Sequence, residues 1–140
     1  MIVYFDTSAL VPLVIEESTS ATAARLWREA DRVISSRLIY AEARAALGLA
    51  HRIGRLDKKR LRDSVGRLDW LVTDLDVVEV TEELVQRAGM LAESLGLRGY
   101  DAIHLSSAEL VRDTELVLAA GDHDLLQAAR TLGLGTADLR

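Results

Sequence analysis

The hydrophobic positions change period repeatedly along the chain. Residues 2 to 5, Ile-Val-Tyr-Phe, form a β-prone run without polar alternation, the pattern of a strand covered on both faces. After Asp6-Thr7-Ser8, the run Ala9 to Ile15 reads as a short helix, with Pro12 near its first turn where a missing N–H costs little. Thr19 or Ser20 is placed to cap a helix to about Ala30, packing through Ala23, Ala24, Leu26, Trp27 and Ala30. Val33-Ile34 predicts a second strand. Ser35 or Ser36 is then expected to cap a long helix over 37–52, stopped by Gly54. Asp57 is expected to cap the next helix, in which Leu61, Val65, Leu68, Leu71 and Val72 recur at helical spacing. Residues 76–80 predict a third strand, and Thr81 opens a helix closed by Gly96. A helix over 100–111, a strand over 116–119, a helix over 124–132 and an edge strand over 136–139 complete the pattern.

Strands separated by helical segments predict a mostly parallel sheet of four to five strands with helices on both faces. No linker, repeat or low-complexity segment interrupts the chain, so the expectation is a single three-layer α/β domain over residues 1–140. A chain of that length buries roughly two thirds of the surface its unfolded form exposes, enough for a core without covalent staples.

In an open α/β sheet, ligands bind beyond the carboxyl ends of the strands, where the strand order reverses. Two acids fall there by sequence position alone. Asp6 directly follows the first strand, and Asp122 follows the fourth through Gly121, with Asp124 two residues later. Glu42, on the second turn of the long helix, and Asp101, at the start of an apolar helix, are placed to reach the same crevice. Taken singly, Glu42 is equally a solvated helix residue, and Asp101 a helix-dipole residue contributing under ~1 kcal/mol.

Composition narrows the chemistry. Cysteine is absent, which removes disulfides, thiolate metal sites and cysteine nucleophiles. No basic-then-apolar leader and no apolar run near 18 residues occurs, so a soluble cytoplasmic protein with no membrane association is expected. The formal net charge of −5 argues against nucleic-acid binding through bulk electrostatics. The charge is unevenly spread: residues 1–68 carry +4 and residues 69–140 carry −9. Arg52, Arg55, Lys58, Lys59, Arg60, Arg62 and Arg67 make a basic stripe, which reads either as a solvated helix face or as a phosphate-contacting track.

Four motifs in order, Tyr4-Phe5-Asp6-Thr7-Ser8-Ala9-Leu10, Ser36 with Glu42, Tyr100-Asp101-Ala102-Ile103-His104-Leu105, and Gly121-Asp122-His123-Asp124-Leu125, resemble a PIN domain. More narrowly the chain resembles the VapC-like ribonuclease toxins of type II toxin–antitoxin modules, over nearly its whole length. That resemblance implies an acidic site of Asp6, Glu42, Asp101 and Asp122 in a Mg²⁺- or Mn²⁺-dependent endoribonuclease, with Asp6, Asp101 and Asp122 on the metal. It assigns Ser8 to a small polar position that hydrogen-bonds within such sites and Asp124 to an additional acid. It also implies a homodimer and a VapB-like antitoxin whose C-terminal segment covers the acidic groove. Position 120 departs from the family pattern: Ala stands where Thr or Ser is usual, removing one hydroxyl near the metal or scissile phosphate.

Oxygen ligands without sulfur suit hard cations such as Mg²⁺ or Mn²⁺. Two carboxylates about 4 Å apart repel by about 4 kcal/mol at an effective dielectric near 20, so four together need a cation or a captured proton. A bound metal lowers the pKa of its water and stabilises charge growing on phosphate. RNA approaching an acidic centre needs attraction from the rim, for which Arg37, Arg44, Arg52 and Arg55 are candidates.

Other residues read as structural. His104, three residues after Asp101, is expected to be buried in the core or to stand behind the acids. His123 reads as a loop residue, and His51 lies in the basic segment. Trp27 and Trp70 read as core or interface packing. Competing functions have weaker support. A haloacid-dehalogenase-like phosphatase needs a second Asp two residues after the first, where this chain has Ser8, and a receiver domain needs an acid where Phe5 stands. A PIN-fold interaction module that has lost activity rests on Ala120 alone.

Overall fold

Side-chain alternation along the first strand sets the layering. In the computed structural model, which describes residues 1–140, β1 (Ile2–Phe5) sends Val3 and Phe5 to one face and Tyr4 to the other. The Val3/Phe5 face is covered by α1 (Thr7–Leu10), the 3-10 turn Val11–Leu13, α2 (Ser20–Glu29), α3 (Ile39–Arg52) and α4 (Lys58–Val72). The Tyr4 face is covered by α5 (Glu82–Leu95), α6 (Gly99–Leu110) and α7 (His123–Thr131). Each face carries its own buried cluster, giving the expected helix–sheet–helix layers.

Five parallel strands make the sheet. With β2 (Arg32–Ser36), β3 (Asp76–Val78), β4 (Leu116–Ala120) and β5 (Gly135–Asp138), the order is β3-β2-β1-β4-β5. The chain leaves β1 toward β2 and β3, then returns to the other side of β1 for β4 and β5. Strand order therefore reverses between β1 and β4, whose register pairs Tyr4 with Leu118 and Phe5 with Ala119. Ligand sites in such sheets form at that reversal.

Local chemistry accounts for most boundaries. Asp57 caps α4 by accepting the Arg60 N–H at 2.7 Å, and Gly96 ends α5 with φ of 67°, a left-handed conformation that glycine adopts without strain. Thr81 caps α5 through the Leu84 N–H at 3.2 Å. Thr81→Ala is expected to cost about 1 kcal/mol, a loss of roughly 3 °C in melting temperature readable by differential scanning calorimetry.

The serines at 35 and 36 end a strand where the sequence reading expected a helix cap. The Arg37 N–H bonds to Val78 O at 2.9 Å, extending the β2–β3 pairing past both of them. Ser35 donates to Phe5 O at 2.7 Å, and the Ser36 hydroxyl accepts the Leu38 N–H at 3.1 Å, turning the chain before α3 begins at Ile39. Glu42 consequently lies in the first turn of α3, not the second. The 9–15 run is likewise two pieces, α1 and the 3-10 turn containing Pro12. No helix is long and apolar enough to cross a membrane.

Candidate active site at the β1–β4 crevice

Asp6 is the first residue beyond β1 and is 4% exposed. It caps α1: its Oδ2 accepts the Ser8 N–H at 3.1 Å and the Ser8 hydroxyl at 2.5 Å. The Ser8 oxygen in turn accepts the Gly121 N–H at 2.8 Å, which ties the end of β1 to the end of β4. Asp122, just beyond that glycine, caps α7 by accepting the N–H groups of Asp124 and Leu125 at 2.9 and 3.2 Å. Both acids are therefore aimed by capping duties that the strand–helix junctions require anyway. Asp124 is exposed on the first turn of α7, and His123 begins that helix.

Asp101 and Asp122 are joined by Arg98, which no motif in the sequence marks. Arg98, in the turn before α6, donates through Nε to Asp101 Oδ2 at 2.9 Å and through Nη2 to Asp122 Oδ2 at 3.3 Å. The only sequence signal was its position three residues before Asp101; the contact to Asp122 is tertiary. Burial holds the Asp101 carboxyl above its ordinary value, Arg98 pulls the other way, and the charges of Asp122 and Asp6 add to the rise.

Glu42 is held from α6 and α1. His104 Nε2 lies 2.6 Å from Glu42 Oε1 and 3.7 Å from Asp6 Oδ1, and Thr7 donates its hydroxyl to the same Glu42 oxygen at 3.0 Å. The imidazole is 1% exposed, and its Nδ1 meets the hydroxyl of fully buried Tyr4 at 2.9 Å. Burial works to lower the His104 pKa, but the Glu42 hydrogen bond and the charges of Asp6, Glu42 and Asp101 outweigh it, so it titrates above its ordinary value. His104 is thus both buried and in contact with the acids. No buried polar side-chain atom in the protein lacks a partner.

Arg98 bridges Asp101 and Asp122 from the surface, while His104 and Thr7 hold Glu42 from within. As the side chains stand, no three Asp, Glu or His groups come close enough together to hold one ion. The donor chemistry nonetheless suits a hard divalent cation, being carboxylate and hydroxyl oxygens without sulfur. The position already attracts positive charge, since a guanidinium bridges two of the four acids. Ala120 is fully buried in the cluster beneath α5–α7, along with Leu118 and Leu125, so its methyl serves that core.

The rim arginines differ among themselves. Arg37 forms a forked pair with Glu79, and Arg55 lies 3.7 Å from Glu17. Arg44 donates to the Tyr40 hydroxyl at 2.9 Å and stacks over its ring. Arg52 ends α3, exposed and without a carboxylate partner. Along the basic stripe the charged residues of α4 are exposed, with Lys59 3.9 Å from Asp63. His51 closes the α3–α4 turn by hydrogen-bonding Leu56 O at 2.8 Å. Trp27 packs edge-on against Phe5, whereas Trp70 is 73% exposed and belongs to no core.

An acidic crevice at the reversal of a five-stranded parallel sheet, with an acid after β1, one on α3, one opening α6 and one after β4, places the molecule in a known class. The chain belongs to the PIN-domain family, whose model matches residues 3–131. Its branch is the VapC-like one: it is 41% identical over 136 residues to ribonuclease VapC45 of Mycobacterium tuberculosis (strain CDC 1551 / Oshkosh), covering 97% of this chain and 94% of that protein. Solved structures agree in fold. FitAcB from Neisseria gonorrhoeae superposes with a TM-score of 0.73 at 18% identity, over 99% of this chain and 98% of that one. A toxin–antitoxin complex from Klebsiella pneumoniae gives 0.71 at 18% identity, with the same coverage of each chain.

Proposed function

We propose that this chain is a divalent-metal-dependent endoribonuclease, the toxin of a type II toxin–antitoxin pair, acting as one nuclease domain in the cytoplasm. The observation that carries the reading is the placing of four acids beside the β1–β4 reversal, Asp101 and Asp122 on Arg98 and Asp6 and Glu42 on either side of His104 Nε2, supported by 41% identity to a VapC ribonuclease. Asp6, Asp101 and Asp122 would hold Mg²⁺ or Mn²⁺, which when bound supplies Lewis acidity toward phosphate oxygens and makes water more acidic. The chain's own contributions are separable. Ser8 keeps one Asp6 oxygen fixed, the α7 N-terminus keeps Asp122 fixed, and Glu42 is available to orient a water for in-line attack on phosphorus.

Arg98 must leave the acids for a metal to take its place. Its own side chain is 79% exposed, so it can swing into water without crossing the core, while Asp101 and Asp122, far less exposed, pass to the cation. RNA phosphates approaching the crevice would meet Arg98 at the acids, which offsets the negative centre locally, and Arg52 would meet the RNA further off, at the far end of α3 from Glu42. A VapB-like antitoxin would cover the groove and bring a basic group to the same carboxylates, and the toxin would act as a homodimer.

Incubating the purified chain with total RNA in Mn²⁺ or Mg²⁺ and mapping the new ends tests the activity. Cleavage at discrete sites that stops on chelation is expected; cleavage unaffected by chelation sinks the metal assignment. Metal binding also has a readout without RNA. A cation that binds only the folded state stabilises it by roughly 1–3 kcal/mol at 10–100 times its dissociation constant, so millimolar Mn²⁺ is expected to raise the melting temperature by several degrees.

A further inference from the structure

Two polar side chains lie behind the acidic crevice, both shielded from solvent. Tyr4 is fully buried on the sheet face that α6 covers, and His104 is buried one turn beyond Asp101 on that helix. They are bonded to each other, phenol oxygen to Nδ1 at 2.9 Å, and stand edge to face. The far nitrogen of the imidazole ends on Glu42 Oε1 at 2.6 Å. Facing a carboxylate oxygen at that distance, Nε2 carries a hydrogen whether the ring is neutral or charged. Thr7 donates to the same oxygen. Glu42 Oε1 is therefore doubly engaged, while Oε2 takes no hydrogen bond from the protein, and the side chain is 24% exposed.

Burying a phenol and an imidazole is unfavourable unless both are paired, and apolar residues would fill the same space without that demand. Here the pairing is directional: it starts in the core of the sheet and ends on one oxygen of one site carboxylate. A bond between Tyr4 and His104 alone would leave the buried Nε2 without a partner. The 2.6 Å contact to Glu42 extends that order into the crevice.

We propose that Tyr4 and His104 are positioning residues for Glu42. Tyr4 fixes the rotation of the imidazole through Nδ1, the imidazole and Thr7 together fix Glu42 Oε1, and Oε2 is left as the oxygen that meets water during cleavage. This rests on the nuclease reading of Glu42. Its signature is an effect on turnover with little effect on RNA binding, since neither Tyr4 nor His104 touches substrate.

Four proteins test it: wild type, Tyr4→Phe, Glu42→Gln and the double variant. Tyr4→Phe keeps the ring and removes only the oxygen. It is expected to lower kcat by about 10-fold with KM changed less than twofold, while in the Glu42→Gln background the same change has no further effect on kcat. Imidazole ¹⁵N spectra supply a readout independent of RNA. The wild type should show a protonated Nε2 with a strongly downfield proton; Tyr4→Phe should move the Nδ1 resonance, and Glu42→Gln should move the Nε2 proton upfield. Equal loss of kcat from Tyr4→Phe in both backgrounds overturns the proposal, as does an Nε2 proton indifferent to Glu42→Gln. That last measurement decides the matter even if Tyr4→Phe fails to fold. If the wild type cleaves no RNA, the nuclease reading falls while the spectra still report whether the relay exists.

Discussion

Asp6→Asn is expected to reduce RNA cleavage by at least roughly 10²–10³-fold, the loss seen when one preorganised electrostatic group is removed from a site. It is also expected to leave the fold intact. Asn caps a helix about as well as Asp, and its oxygen can accept both Ser8 donors that Asp6 Oδ2 now accepts. Removing the charge also relieves a buried carboxylate, 4% exposed, of its neighbours at the crevice. The melting temperature should therefore hold or rise while activity collapses, a separation characteristic of groups held in place at the expense of stability. Cleavage assays on a defined RNA, paired with calorimetry on the same preparation, check both halves. Activity that survives Asp6→Asn removes this residue from the site, and activity lost together with the fold makes the substitution uninformative about chemistry, in which case Asp101→Asn is the variant to read. Asp101 sits in the first turn of α6 and makes no capping contact, so its replacement disturbs local structure less.

The residues that were legible in the sequence are those whose roles are local. Asp57 and Thr81 cap the helices that follow them, and Gly96 closes α5, because each acts within three or four residues of chain. The short β-prone runs mark β1 to β4 for the same reason, and the tail over 136–139, expected as an edge strand, overlaps β5. The errors share the opposite cause. Ser35 and Ser36 look like helix caps in any local window, and only the β2–β3 pairing, which continues through Arg37, makes them strand residues. Trp70 falls at helical spacing among apolar neighbours, yet the α4 stripe that packs is centred on Leu68 and Ser64, leaving the indole outward.

The site shows the same division. The four candidate acids have local signals: Asp6 follows β1 directly, Asp122 follows β4 through Gly121, and Glu42 and Asp101 lie in the first turns of α3 and α6. What aims them has none. Arg98 reaches Asp122 across 24 residues, and Tyr4 reaches His104 across 100, so neither contact has a sequence period to betray it. His104 read as a core histidine, which describes its burial correctly. The partner that gives the burial a purpose lies on α3, and its contact depends on the α6–β1–α3 packing.

Leu118→Ala is expected to be the most destabilising single truncation near the site, at about 2–5 kcal/mol, measurable by urea unfolding as a fall in midpoint at unchanged slope. Leu118 is fully buried at the centre of β4, pairs in register with Tyr4, and belongs to the same cluster as Leu105, Leu125 and Leu126. Its neighbours in the cluster are themselves buried and packed, so most of the removed volume stays as a cavity. For a domain of this size the corresponding loss is roughly 10 °C in melting temperature, a large fraction of an ordinary 5–15 kcal/mol stability. Leu68→Ala provides the comparison, because Leu68 is equally buried but lies in the other cluster, on α4 and away from Tyr4 and His104. The two variants should lose similar stability. Assayed well below both transitions, Leu118→Ala should lose more turnover than Leu68→Ala, since its cavity opens beside the strand position that carries Tyr4. Equal turnover in the two would mean that the packing behind the crevice holds the fold without holding Glu42.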